Sequence, residues 1–240
     1  MTASRDEIKP PHMLDTLREM GAGLEMMKGL VSTVTGAILP RPMTVAGWPR
    51  VIVLPGFGTD DYSTVVLRRR LTAAGFKAEG WGLGRNRGSV PALVQAFLAR
   101  LERRVAAFGG PIALVGQSLG GYIAREAARE RPDLVSRIVT LGTPVKGGAK
   151  YTVLAGTYRR RGIDLDKADA RIAQRELVPL KIPVTAFYSR HDGVVSWRAC
   201  ISTHEPMVRH VEIDATHCGM GFAPHMLERV VAELSTPLPR

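Results

Sequence analysis

Short apolar runs bounded by turn-forming residues alternate along the chain with stretches in which apolar positions recur every three or four residues. The runs are Arg50–Pro55 (RVIVLP), Pro111–Gln117 (PIALVGQ), Ser136–Leu141 (SRIVTL), Pro183–Ser189 (PVTAFYS) and His210–Ile213 (HVEI). Their Val, Ile and Leu content without polar alternation is the signature of strands buried on both faces, as in a parallel sheet. Lys77–Trp81 reads as a further strand. Helical periodicity covers Thr64–Ala74, stopped by Gly75, and Val90–Phe108, stopped by Gly109. It returns over Leu119–Arg131, stopped before Pro132, and over Pro224–Leu234. Strand alternating with helix predicts an α/β fold: a mostly parallel sheet flanked by helices.

Ahead of this pattern, Leu17, Met20, Leu24, Met27, Val31, Val34 and Ile38 recur at steps of three and four, the spacing of an amphipathic helix. Gly21, Gly23, Gly29 and Gly36 weaken it. We expect residues 1–45 to form a helical segment packed on the body, with a dimer contact or an interfacial membrane anchor as the sharper alternative. Residues 46–240 form the α/β domain. No repeat, low-complexity tract or linker divides it.

Composition changes this picture little. At 240 residues the chain can bury one good core, and no run approaches the ~20 apolar residues of a membrane span. The N-terminus, MTASRDEIKPPHM, lacks the basic start and apolar run of a signal peptide, which predicts a cytoplasmic protein. The net charge of +11 raises nucleic-acid binding, with Arg68-Arg69-Arg70 and Arg159-Arg160-Arg161 as its candidates. These arginines are not interleaved with aromatics and no nucleic-acid signature accompanies them. A solvated basic surface is the preferred reading, and weak attraction to anionic membranes or substrates is the alternative.

The chemistry lies in VGQSLGGYIARE, where Gly116-Gln117-Ser118-Leu119-Gly120 follows an apolar run and opens a helical stretch. This is the G-x-S-x-G nucleophile elbow in the strand–turn–helix context that gives it meaning. The competing reading is a tight turn whose serine caps the helix. The first amide of the helix, Leu119, is a natural oxyanion donor. LPGFGTDDYST, after the first strong strand, offers the Phe57 amide as the second, with Gly56 and Gly58 leaving room for substrate beside Gln117. An ordinary glycine-rich loop is the alternative there. Asn86, in GLGRNRG, reads as a structural turn residue or a hydrogen bond at the edge of the site.

An acid and then a histidine should follow, each at the C-terminal end of a later strand. FYSRHDGVVSW supplies Asp192 and VEIDATHCGMGF supplies His217. His191 sits beside the acid, His204 and His210 precede the last strand, His225 lies in the final helix and His12 comes too early. Asp214 and Asp166 are the alternative acids. Ser118, Asp192 and His217 would act as a unit that needs neither metal nor cofactor.

Together these residues resemble the α/β-hydrolase family over Arg50 to Leu234. The stretches LPGFGTDDYST, GWGLGRNRG, GQSLGG, LGTPVKGG, SRHDGVVSW and ATHCGMGF are similar to bacterial esterase and triacylglycerol-lipase-like members. The pattern departs at Pro55, where lipase-like proteins often have His, and at Val145 in the GTPHxG loop. The resemblance implies a small cap at about 146–180 and a partly open site. It also implies a carboxylic-ester hydrolase acting on small acyl esters, with acyltransferase, thioesterase or catalytically silent scaffold as alternatives. Cys200 and Cys218 flank the predicted catalytic loops and could bridge them or remain thiols.

Overall fold

The computed structural model describes residues 8–19 and 49–238. Six parallel strands form one sheet: β1 (Arg50–Leu54), β2 (Lys77–Gly80), β3 (Ile112–Gln117), β4 (Val135–Leu141), β5 (Val184–Tyr188) and β6 (Val208–Glu212). Their spatial order is β2-β1-β3-β4-β5-β6. The described helices are α1 (Met13–Arg18), α2 (Val65–Ala73), α3 (Val90–Phe108), α4 (Leu119–Glu130), α5 (Ala155–Arg160), α6 (Leu165–Glu176) and α7 (Pro224–Ser235).

Each central strand is buried on both faces, and the pleat divides its side chains between two cores. Val51 and Val53 of β1 pack with Leu67 and Leu71 of α2 and with Met226 and Val230 of α7. Ile52 and Leu54 face the opposite way, onto Phe97 and Leu101 of α3 and Ile123 and Ala127 of α4. The edge strands differ from the sequence expectation. β6 starts at Val208 and is only half-buried, and β2 likewise, because an edge strand has one neighbour and a more open face.

From β1 the chain moves outward to β2 and then returns to the other side of β1 as β3. The loops leaving β1 and β3 therefore diverge and open a crevice at their C-terminal ends, the position where open α/β sheets bind ligands. Between β4 and β5 lie a short 3₁₀ turn (Gly148–Tyr151), α5 and α6, which cover this crevice. Ala155, Tyr158 and Leu165 of this segment form a small apolar cluster against Phe57.

One arginine of the expected solvated basic surface is buried instead, and another is exposed as expected but lies over an aromatic ring. Arg70 is buried and makes a bidentate pair with Glu228, 2.6 and 2.7 Å, joining α2 to α7. The Arg161 guanidinium lies 5.1 Å from the centre of the Phe57 ring. Most of the N-terminal apolar stripe lies outside the described residues. Its described member, Leu17, is 54% exposed, so α1 does not use it to pack on the body. Among the described residues no helix is long and apolar enough to cross a membrane.

Candidate active site

Ser118 stands at the end of β3 with φ +51° and ψ −123°, alone among the described non-glycine residues in having a positive φ. Such a conformation costs roughly 1–3 kcal/mol and persists only where its surroundings hold it. They do so here by backbone bonds. The Ser118 amide donates to Leu141 O at 2.8 Å, and its carbonyl accepts from Thr143 Oγ1 at 2.9 Å and Gly121 N at 3.0 Å. The crowding explains the glycines: a Cβ on Gly120 would lie 2.4 Å from the carbonyl oxygen of Leu54. The elbow presses directly against β1.

The loop after β1 passes beside the serine. A Cβ on Gly56 would sit 3.6 Å from that of Ser118, which puts Phe57 at the mouth of the crevice. Asn86 fixes this loop. It is fully buried, its side-chain amide donates to Pro55 O at 3.0 Å, and its backbone carbonyl accepts from Gly58 N at 2.7 Å. Its backbone amide reaches Thr59 O at 2.8 Å. Of the two roles the sequence left open for Asn86, the structure shows the structural one. The Leu119 amide is the first of α4, where helix geometry provides no intrahelical acceptor and the macrodipole favours negative charge.

Asp192 lies in the loop after β5 and is buried. Its Oδ1 accepts from the amides of Val194 and Val195, 2.9 and 2.7 Å, which leaves Oδ2 2.7 Å from His217 Nδ1. His217, in the loop after β6, is buried as well. Burial depresses its pKa, but the Asp192 charge, the Asp192 hydrogen bond and the charge of Glu19 together outweigh burial and raise it above the ordinary imidazole value. Gly142, at the end of β4, has φ +56°, and a Cβ there would come within 2.8 Å of both Asp192 Oδ2 and His217 Nδ1. The acid–histidine pair thus needs a glycine floor, a requirement the sequence pattern does not reveal.

The alternative acids stand elsewhere. Asp214 is exposed and faces His191 at 3.8 Å, and Asp166 pairs with Lys150 at 2.8 Å. Gln117 donates from Nε2 to the carbonyl of His217 at 3.0 Å, so its side chain ties the elbow to the histidine loop. Gly56, Gly58 and Gln117 are not among the residues that line the adjoining cavity. Neither Cys200 nor Cys218 is in a disulfide.

That cavity, about 570 Å³, opens at Ser118 and is within the ordinary range for a small-molecule site. It follows one stripe of α4 through Leu119, Tyr122, Glu126 and Glu130, a length of roughly 18 Å at 1.5 Å per residue. Tyr158 of α5 roofs it, its ring 4.8 Å from that of Phe57. Burial pushes the Tyr158 phenol up to about 12, so it stays neutral. The wall is apolar beside Ser118 and charged at the far end. No sequence signal marked Tyr158 as a roof, because its role depends on how the segment between β4 and β5 folds back over the β1 loop.

The sequence matches no family model. It is 23% identical over 194 residues to the palmitoyl-protein thioesterase ABHD10, mitochondrial, of Bos taurus, covering 67% of this chain and 62% of that protein's length. Est1E from Butyrivibrio proteoclasticus with ferulic acid bound superposes with a TM-score of 0.60 at 19% identity, covering 82% of this chain and 91% of that one. The metagenome-derived lipolytic enzymes LipS and LipT give a TM-score of 0.58 at 17% identity, with 82% and 98% covered. The doubly flanked parallel sheet agrees with these neighbours, and the chain has the α/β-hydrolase fold.

Proposed function

We propose that this chain is a serine hydrolase that cleaves carboxylic esters through an acyl-enzyme on Ser118. The observation that carries the reading is the buried Asp192–His217 pair at 2.7 Å, held on loops at the same sheet end as the strained elbow of Ser118. In this reading His217 Nε2 takes the hydroxyl proton of Ser118 as Oγ attacks the acyl carbon, and Asp192 fixes the imidazole tautomer through Nδ1. The oxyanion is met by the amides of Phe57 and Leu119, and His217 returns the proton to the departing alcohol. Water then attacks the acyl-enzyme with the same base. The cavity along α4 takes the acyl group.

Initial rates on p-nitrophenyl esters of increasing acyl length test this, with Ser118→Ala as the control. We expect turnover that the substitution abolishes. A Ser118→Ala protein as active as wild type sinks the reading.

Thioester cleavage is the second reading, favoured by the similarity to a bovine protein named as a thioesterase. The same triad serves both bonds. Comparing kcat/KM for an oxygen ester and a thioester of one acyl chain decides between them.

A further inference from the structure

We infer that Glu19, far from the hydrolase motifs in sequence, is a positioning residue that clamps the acid loop and the histidine loop to each other. The inference rests on the reading of Ser118, Asp192 and His217 as a catalytic unit. Glu19 Oε1 accepts from the Gly193 amide at 3.0 Å and from the His217 amide at 2.6 Å, and Oε2 accepts from the Cys218 amide at 3.0 Å. One carboxylate therefore satisfies three backbone donors on two separate loops. Backbone amides in irregular loops need such partners, and bonds to an ionised acceptor are the strong ones.

The contact is built rather than incidental. α1 approaches the acid loop so closely that a Cβ on Gly193 would lie 2.1 Å from the carbonyl oxygen of Asp15. Thr16 Oγ1 donates to Gly193 O at 2.9 Å, and Arg18 Nη1 lies 2.7 Å from His191 Nδ1. Both neighbours of Asp192 are thus held by one six-residue helix. Upstream, Ile8 is buried against Tyr151 and Ala199, anchoring the segment on the body.

Triad chemistry is sensitive to small displacements, so a clamp that fixes the backbones of Asp192's neighbour and of His217 acts on kcat rather than on substrate binding. It also acts by charge. The charged groups that reach His217 are Asp192 and Glu19, and both favour the imidazolium. Arg18 is turned to His191 on the far side of the acid loop, Gln117 at the His217 carbonyl is neutral, and burial together with the Asp192 charge pushes the Cys200 thiol up, keeping it neutral.

The test uses the full chain with Glu19→Ala, Glu19→Gln and, as reference, Ser118→Ala. Glu19→Ala should lower kcat on the order of 10- to 10²-fold with KM little changed. Glu19→Gln keeps one carbonyl oxygen for Gly193 and His217 but sets an NH₂ against the Cys218 amide. It should lose less kcat while moving the acid limb of kcat/KM to lower pH, because a negative charge near the imidazole is gone. Should the Ala variant fail to fold, the Gln variant decides alone. Wild-type kcat in the Glu19 variants overturns the inference, and so does a fall in kcat with an unmoved limb and a matching fall in Tm, which is what general loosening produces. Loss of activity in Ser118→Ala beside unchanged Glu19 variants would remove this inference only. Full activity in Ser118→Ala would remove the triad reading and this one with it.

Discussion

Asp192 commits one carboxylate oxygen to two backbone amides and the other to an imidazole, so every acceptor that matters is fixed by the fold. Replacing it with asparagine keeps the shape but puts an NH₂ within reach of Nδ1, forcing the wrong tautomer. On the proposed mechanism, Asp192→Asn should lower kcat on the order of 10⁴-fold, measured against Ser118→Ala as the floor. The raised pKa of His217 carries two further consequences of opposite sign. Catalysis requires the neutral base, so kcat/KM should fall on acidification with a midpoint above ~6.5, the ordinary imidazole value. Stability runs the other way: the imidazolium is favoured in the folded state, a contribution complete below the unfolded value and lost as pH rises through the folded one. The pH–rate profile on an ester substrate checks the first, and unfolding free energies across the same pH range check the second. Asp192 and His217 were legible as candidates because chain order and strand ends restrict the choice. Asn86 was legible only as a pair of alternatives, since nothing in GLGRNRG tells which backbone its amide will meet.

At the scale of elements, the strands and long helices were readable from periodicity alone, and β1, β3 and β5 fall within their apolar runs. The reason is burial on both faces: where a strand lies between two layers of helix, its sequence has no choice but to be apolar. Phe97, fully buried between α3 and the sheet, should be one of the most sensitive positions. Phe97→Ala is expected to destabilise by about 3–5 kcal/mol, read from the shift of the denaturation midpoint at unchanged m-value. The segment between β4 and β5 was less legible. Its helix α5 is short, and the apolar residues of α5 and α6 face the β1 loop and the cavity rather than the sheet. Their pattern is therefore set by neighbours that are distant in sequence.

The whole molecule has one further feature that joins its parts: a buried ionic network between α4, the end of α6 and the loop before β6. Arg129 reaches Glu176 and Glu205 at 2.5 Å each, Arg175 reaches Glu126 at 2.5 Å, and Arg125 faces Glu176 at 3.2 Å and Glu205 at 3.3 Å. Arg125 and Glu205 are each about 1% exposed at the side chain. Removing one partner leaves buried positive charge, so Glu205→Ala should cost about 3–5 kcal/mol, measurable by denaturant unfolding. The net charge of +11 hides this arrangement, because a sum of charges cannot say which are buried together. By itself the sequence determined the strand–helix alternation, the elbow at Ser118 and the order of acid and histidine, since each is written in short-range pattern or in chain order. Only the tertiary structure decided that the loops of β1 and β3 diverge around a crevice and that α4 runs along the cavity floor. It alone brought Glu19 to the amides of Gly193, His217 and Cys218. Those contacts span up to 199 positions and connect a side chain to backbone amides, which every residue but proline carries, so no residue pattern can announce them.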